Sequence, residues 1–157
     1  YDVCHNIAKF ENHIIGNQQK AVCVHRKGAT RAFAPHANGL AAGFAETGQP
    51  VIIPGDMGTE SYLCVGAANA MEETFGSSCH GAGRAMSRHK ALKSKKLNEV
   101  LGNLKQKHIY TRAFAKKTLI EEMSDAYKNV ADVVDTMHES EITRKVVRLR
   151  PVGVVKG

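Results

Sequence analysis

Short stretches of apolar residues, separated by polar ones, dominate the first thirty residues of the chain. The apolar positions are Val3, Ile7-Ala8, Ile14-Ile15 and residues 21–24. Such alternation is typical of strands, and the polar tetrad Gly16-Asn17-Gln18-Gln19 falls where a hairpin would turn. The pattern therefore predicts a β-hairpin, with His5-Asn6 inside its first strand.

The rest of the pattern mixes short strands with short helices. Strands are predicted at residues 51–53, at residues 61–65 and from residue 109, and the alternating residues 144–156 predict strand structure with an edge or bend at Pro151. Helices are predicted at residues 67–75, 85–104 with a break near 93–96, 119–123 and 130–137. Residues 34–48 predict a loop with a short helical turn. Without regular βαβ alternation, the fold class is α+β.

Size and composition are those of one globular domain of 157 residues. No stretch approaches the roughly 18 consecutive apolar residues of a membrane span. The chain opens on Tyr1 without a signal-like pattern, which favours a fragment or processed piece of an intracellular protein. A net charge of +7 and a pI near 9.3 favour a polyanionic partner. The four cysteines contain no CxxC pair and are interpreted as reduced thiols.

One stretch combines a histidine, two glycines and two arginines: Cys79-His80-Gly81-Ala82-Gly83-Arg84-Ala85-Met86-Ser87-Arg88. If a helix follows, the glycine amides can bind an anion at its N-terminus, with Arg84 and Arg88 on one face as phosphate clamps. His80 would then be a neutral nitrogen nucleophile beside phosphate. The alternative is a glycine-rich helix start with a polar cap. Cys79 is either a thiol of lowered pKa or a small buried side chain.

Other polar groups also allow two interpretations. Arg26, Lys27 and Arg31 surround Gly28 and are either phosphate ligands or solvated loop charges. The cations of residues 84–96 form either a solvated face or an RNA-backbone contact. The turn at residues 54–58 brings backbone groups close to a ligand.

Several motifs, in order, resemble the RtcB-type RNA ligases. Besides Cys79-His80-Gly81-Ala82-Gly83-Arg84, they are Tyr1-Asp2-Val3-Cys4-His5-Asn6-Ile7-Ala8, His25-Arg26-Lys27-Gly28-Ala29-Thr30-Arg31-Ala32-Phe33, Pro54-Gly55-Asp56-Met57-Gly58-Thr59, Ser61-Tyr62, Ala126-Tyr127-Lys128-Asn129-Val130 and the closing Leu149-Arg150-Pro151-Val152 with Val154-Val155-Lys156-Gly157. The resemblance extends over the whole chain but covers about the last third of a family member. It implies that residues 1–157 are the C-terminal portion of a single RtcB-like catalytic domain.

The resemblance also implies site residues. His80 would become guanylylated, and His5 would be a manganese ligand. Arg31, Arg84 and Arg88 would contact RNA or phosphate. The implied nucleotide-binding residues are Asn6, Lys27, Pro54, Gly55, Asp56, Met57, Ser61, Gly81, Ala82, Gly83, Tyr127 and Lys156. Many family members have serine or threonine at the position of Asp56, which leaves its contact open.

The implied reaction uses GTP and Mn²⁺ to join an RNA 3′-phosphate or 2′,3′-cyclic phosphate to a 5′-hydroxyl, with tRNA halves as substrates. It implies a cytoplasmic or nuclear location. The family's other metal ligands lie upstream, so a complementary N-terminal segment or subunits of a tRNA-ligase complex are expected partners. Two alternatives remain: a truncated, non-catalytic fragment that binds guanine nucleotides or RNA, and a basic surface without a site.

Overall fold

The computed structural model describes residues 4–157, so the predicted strand position Val3 and the first three residues of the opening motif lie outside it. The strands are β1 (Asn6–Ile15), β2 (Gln18–Lys27), β3 (Ala29–Arg31), β4 (Pro50–Ile53), β5 (Ser61–Gly66), β6 (Ser77–Cys79), β7 (Tyr110–Ala113), β8 (Thr143–Leu149) and β9 (Gly153–Lys156). The α-helices are α1 (Ala70–Glu73), α2 (Arg88–Ser94), α3 (Leu97–Gln106), α4 (Lys116–Glu121) and α5 (Val130–Glu139), and short 3₁₀ turns occur at Ala42–Phe44 and Ser124–Ala126. The α+β prediction is confirmed.

The predicted hairpin is present. β1 and β2 pair antiparallel from Asn6↔Lys27 to Ile15↔Gln18, which leaves the two-residue turn Gly16-Asn17. Both turn residues have positive φ, 55° and 65°, as a hairpin turn that follows the right-handed strand twist requires. His5 lies just before β1 rather than inside it, and Asn6 is the first strand residue.

A first hydrophobic core lies between a three-stranded antiparallel sheet and α5. The strand order is β4-β5-β8. The buried side chains are Ala32, Val51, Ile53, Tyr62, Cys64, Ala82, Val130 and Val134. Alternate residues of β4 and β5 point into this core, which explains why an apolar run as short as residues 50–53 forms a strand.

A second core lies among α2, α3, α4 and the parallel pair β7-β9. Its buried side chains are Met57, Ala91, Val100, Leu104, Ile109, Leu119, Met123 and Ala126. Burying each larger aliphatic side chain contributes about 1.5–3 kcal/mol. The chain crosses between the two cores at residues 53–57, 82–91 and 126–130. In each of these segments, the first residue is buried in one core and the last residue in the other.

The predicted helix over residues 85–104 is wrong at its start. The N–H groups of Ala85 and Met86 donate to the carbonyl of Ala126, at 2.8 and 3.3 Å, and α2 begins only at Arg88. Ser87 caps α2, because its hydroxyl accepts from the N–H of Lys90 at 3.2 Å. The predicted break is confirmed, since α2 ends at Ser94 and α3 begins at Leu97.

Smaller differences concern other elements. The helix predicted at 67–75 is confined to α1, and the one predicted at 119–123 is α4, which begins at Lys116. The closing stretch forms β8 and β9, which lie in different sheets on either side of Pro151. Among the described residues, no helix has the length and apolar character needed to cross a membrane.

Arg26 forms a buried ion pair within the hairpin and also attaches the hairpin to the segment that contains Phe75 and Ser77. Arg26 is only 2 % exposed, and its guanidinium donates to both carboxylate oxygens of Glu11, at 2.9 and 2.7 Å. It also donates to the hydroxyl of Ser77 at 2.9 Å and to the carbonyl of Phe75 at 2.8 Å. Burial raises the pKa of Glu11, but hydrogen bonds from Arg26 and His13 outweigh it, so the pKa lies below its ordinary value. Arg26 is therefore neither of the two things predicted for it, a phosphate ligand or a solvated charge.

Replacing Arg26 by methionine should destabilise the fold by about 3 kcal/mol, because the largely buried carboxylate of Glu11 loses its guanidinium partner and keeps only His13. Chemical denaturation followed by circular dichroism measures this change. Lys27→Met is the matched control, since Lys27 is the exposed neighbour, and it should cost less than about 0.5 kcal/mol. Equal losses in the two variants would contradict this role for Arg26.

Candidate active site

The backbone of Gly28 joins the two histidines of the candidate site. Its N–H donates to the carbonyl of His5 at 3.0 Å, and its carbonyl accepts from the N–H of His80 at 3.2 Å. The pairing of Ala29 in β3 with Cys79 in β6 fixes this register. Gly28 has φ +67°, a left-handed conformation that glycine adopts without steric cost.

The His5 and His80 rings are stacked, with centroids 3.7 Å apart and an angle of 14° between their planes. Burial lowers the pKa of His80, and the charge of a protonated His5 lowers it further. Among the described residues, Nδ1 of His80 is buried and has no hydrogen-bond partner. His80 is therefore a half-buried imidazole whose lowered pKa favours the neutral form near pH 7.

The loop after β4 packs against the glycine turn that follows His80. The carbonyl of Pro54 accepts from the N–H of Ala82 at 3.1 Å, so the predicted residues 54–57 and 81–83 are neighbours. A Cβ on Gly55 would lie 2.2 Å from the carbonyl oxygen of Glu60, which explains the glycine there. The side chain of Met57 is buried in the second core.

Asp56 organises its own loop. Its carboxylate accepts from the N–H of Gly58 at 2.8 Å, from the hydroxyl of Thr59 at 2.7 Å and from the hydroxyl of Ser124. These contacts explain a carboxylate at this position without reference to a ligand.

The clamp geometry predicted for Arg84 and Arg88 is wrong, because Arg84 lies outside any helix. Its Nε donates to the carbonyl of Met86 at 3.1 Å, its Nη2 to the carbonyl of Glu121 at 2.7 Å, and its Nη1 to Glu122 at 3.2 Å. The glycine turn consequently does not lie at a helix N-terminus. Direct contact of Arg84 or Arg88 with RNA or phosphate stays a prediction.

The carboxylate of Glu122 collects four residues that the sequence predicted for the site. It contacts Arg84, Nε of Arg88 at 3.6 Å, the hydroxyl of Tyr127, and Nζ of Lys156 at 3.9 Å. The Arg84 guanidinium carbon also lies over the Tyr127 ring, 4.9 Å from the ring centroid. The backbone N–H of Lys128 donates to the carbonyl of Gly83 at 2.9 Å. Sequence analysis missed Glu122, because an acidic residue at a helix end carries no motif.

The remaining predicted residues lie around this centre. Asn6 and Lys27 pair across the hairpin. Asn6 follows His5 and Lys27 precedes Gly28, so both are adjacent to the hydrogen bond between the Gly28 N–H and the His5 carbonyl. Ser61 begins β5 at the end that adjoins Pro54, because Ile53 pairs with Tyr62. Nε of Arg31 donates to Gln49 at 3.0 Å, and its guanidinium covers the Phe33 ring.

Among the described residues, Cys23, Cys64 and Cys79 form no disulfide, and the reduced state of the cysteines stays a prediction. A lowered pKa for Cys79 is wrong: burial raises the pKa of its thiol. Burial likewise raises the pKa of Cys64, to about 11. Both thiols stay protonated at neutral pH and act as small buried side chains.

A metal ion needs more ligands than the described residues bring together. Among residues 4–157, no group of three or more histidine, cysteine, aspartate or glutamate side chains is arranged to hold one. His5 is exposed and can supply a single imidazole. A manganese site is therefore not complete within this part of the chain.

The tRNA-splicing ligase RtcB family matches the chain over residues 1–157. The chain belongs to the RtcB family. Two curated relatives, each named tRNA-splicing ligase RtcB, come from Archaeoglobus fulgidus and Methanococcus maripaludis. Each is 54 % identical to this chain over all of its 157 residues, a stretch that makes up 33 % of the relative.

The resemblance to RtcB inferred from the motifs is thus confirmed, and the chain spans about a third of the length of these relatives. The α+β architecture described above belongs to that third. Family membership does not by itself assign a role to any side chain, so the roles of His80, His5 and the nucleotide-binding residues in this RtcB family member stay predictions.

The protonation of His80 provides a test of the stacked geometry. In metal-free protein, the His80 imidazole should titrate below the ordinary histidine pKa, and His5→Ala should raise that pKa, because it removes a positive neighbour and exposes the ring to water. Long-range ¹H–¹⁵N NMR spectra recorded against pH measure this change. His89→Ala, which removes an exposed histidine of α2, should leave the His80 titration unchanged. A His80 pKa that does not respond to His5→Ala would contradict the coupling.

Proposed function

We propose that this chain supplies the nucleophile and much of the nucleotide pocket of an RNA ligase. The ligase would join an RNA 3′-phosphate or 2′,3′-cyclic phosphate to a 5′-hydroxyl at the expense of GTP, with tRNA halves as substrates inside the cell. The observation that carries the proposal is the neutral His80, stacked on His5 and linked to it through Gly28 in a chain of the RtcB family.

In the first step, Nε2 of His80 would attack the α-phosphorus of GTP. A nitrogen–phosphorus bond forms and the bond to pyrophosphate breaks, so the leaving group departs with the bonding electrons. A lowered pKa supports this step, because a neutral ring retains the lone pair that attack requires. A 2′,3′-cyclic phosphate end would first be hydrolysed by water, which breaks its bond to the 2′-oxygen and leaves a 3′-phosphate and a 2′-hydroxyl. The RNA 3′-phosphate would then displace His80 and take over GMP, and the 5′-hydroxyl would finally displace GMP as it loses its proton.

The surroundings of His80 suit a negatively charged substrate. Arg84, Arg88 and Lys156 place three positive charges around one carboxylate, which leaves a local excess of two. The N–H of Ala82 in the glycine turn donates to the carbonyl of Pro54, so the turn after His80 and the 54–58 loop lie side by side. Such an arrangement is suited to the charge that accumulates on phosphate oxygens during transfer.

Manganese belongs to this proposal with His5 as one ligand. Imidazole and carboxylate are ligands that suit Mn²⁺, and buried protonated thiols are not. The other ligands would come from the two-thirds of RtcB relatives that this chain does not cover. A complementary N-terminal portion, or subunits of a tRNA-ligase complex, are the corresponding partners.

A second candidate function is a non-catalytic fragment that binds guanine nucleotides or RNA. The observation that favours it is the incomplete metal ligand set within residues 4–157. This candidate predicts binding without formation of a covalent nucleotide, whereas the ligase proposal predicts a stable adduct.

His80→Ala should abolish covalent labelling by α-³²P-GTP in the presence of Mn²⁺. The labelled bond should be acid-labile and base-stable, as a phosphoramidate is, and ATP should not replace GTP. His89→Ala is the matched control and should keep full labelling. Label retained on His80→Ala would rule out His80 as the acceptor, and RNA binding without any label would support the second candidate.

The exposed cations of α2 provide a separate test of RNA contact. Lys90→Gln combined with Lys93→Gln should weaken RNA binding and reduce the slope of log K against log salt by up to about 0.7 for each lost contact to a single strand. Filter binding at several salt concentrations measures the slope. The control replaces two exposed lysines of the hairpin, Lys9 and Lys20, by glutamine. Equal slopes in the two variants would favour a solvated face.

A further inference from the structure

We propose that Glu122 is a positioning residue for the nucleotide pocket: its carboxylate fixes Tyr127 and Lys156 relative to the turn that follows His80. This inference rests on the proposed function, because Tyr127 and Lys156 are predicted nucleotide ligands. Glu122 itself is assigned no contact with the nucleotide.

The first argument is convergence from distant parts of the chain. Glu122 follows α4 directly, Arg84 belongs to the glycine turn, and Lys156 is the last residue of β9. The carboxylate contacts Arg84 at 3.2 Å and Lys156 at 3.9 Å, and it also accepts from the Tyr127 hydroxyl. One side chain thus ties together segments separated by up to 72 positions in sequence.

The second argument is saturation of the carboxylate. Its Oε1 faces both Arg84 and Arg88, and its Oε2 faces Tyr127 and Lys156. Both oxygens are therefore occupied by protein donors, and the side chain is only 16 % exposed. Glu122 is consequently better suited to hold other side chains than to bind a nucleotide itself.

The third argument is electrostatic. Without a carboxylate between them, the partly buried Arg84 and Lys156 and the more exposed Arg88 would repel one another, and Lys156 would lose the carboxylate that faces it. Hydrogen bonds to a charged group are shorter and stronger than neutral ones, so the carboxylate orders both the ammonium and the phenol. The remaining excess of positive charge stays available for an anionic substrate.

The test uses Glu122→Gln in the full-length protein, because glutamine keeps the shape and removes the charge. The KM for GTP in formation of the His80 adduct should rise by about tenfold, the effect expected for weakened charge-assisted hydrogen bonds, while the rate at saturating GTP changes less than about twofold. Glu122→Asp keeps the charge and should restore part of the lost affinity. Asp125→Asn is the control, because it removes an exposed carboxylate that pairs with Lys95.

A second readout does not depend on GTP chemistry. Burial and the neighbouring Glu122 raise the pKa of Tyr127, whereas Arg84 lowers it. Glu122→Gln should therefore shift the Tyr127 titration to lower pH, as followed by ultraviolet absorption with Tyr127→Phe as the blank. Asp125→Asn should not shift it.

The outcomes separate the two proposals. A KM and a Tyr127 titration that both match the parent protein would overturn the role of Glu122, and so would a fall in the saturated rate with KM unchanged. Labelling that persists in His80→Ala would instead contradict the proposed function. The Tyr127 titration would still report on Glu122 in that case. If Glu122→Gln does not fold, the same measurements on Glu122→Asp decide, with a smaller KM increase expected.

Discussion

The backbone of Gly28 connects the residue before the hairpin to the residue after β6, and the geometry of the candidate site depends on that link. The Gly28 N–H donates to the carbonyl of His5 and the Gly28 carbonyl accepts from the N–H of His80, so the backbones of two histidines 75 positions apart are held together by main-chain hydrogen bonds of one residue. Side chains lose entropy when they are ordered, whereas a backbone link of this kind is fixed by the fold itself. A left-handed φ at this point costs an ordinary residue roughly 1–2 kcal/mol, which makes glycine the suitable residue.

The positive charge of the chain is less available than its sum suggests. Arg26 is buried, pairs with Glu11 and donates to the carbonyl of Phe75. Arg84 donates to two carbonyls, a carboxylate and a phenol hydroxyl. The cations left for a polyanion are the more exposed ones, such as Lys27 and the lysines of α2.

Much of the fold could be predicted from local patterns. The Gly16-Asn17 turn and the apolar run before Pro54 carry their structure in a few adjacent residues. The start of α2 could not be predicted, because residues 84–86 have good helix propensity but bond to the distant carbonyl of Ala126. Tertiary contact overrides propensity there.

The same limit applies to the candidate site. The motif around His80 could be recognised from adjacent residues, and the phosphate chemistry that its residue types indicate stays a prediction. The buried role of Arg26 and the convergence on Glu122 could not, because each depends on partners in segments that are close only in the folded chain. The raised pKa of Cys79 likewise follows from burial, which neighbouring letters do not reveal.

The candidate site lies between the two hydrophobic cores, and this position explains why a charged side chain is needed to hold its segments together. Ile53 and Ala82 are anchored in the first core, whereas Met57 and Ala126 are anchored in the second. A site built from these segments keeps its geometry only if the two cores hold a fixed relation. Backbone bonds at Pro54, Gly83 and Ala126 provide part of that relation. Within residues 4–157, β9 pairs with β7 and with no other strand, and the carboxylate of Glu122 connects Lys156 to Arg84 of the glycine turn.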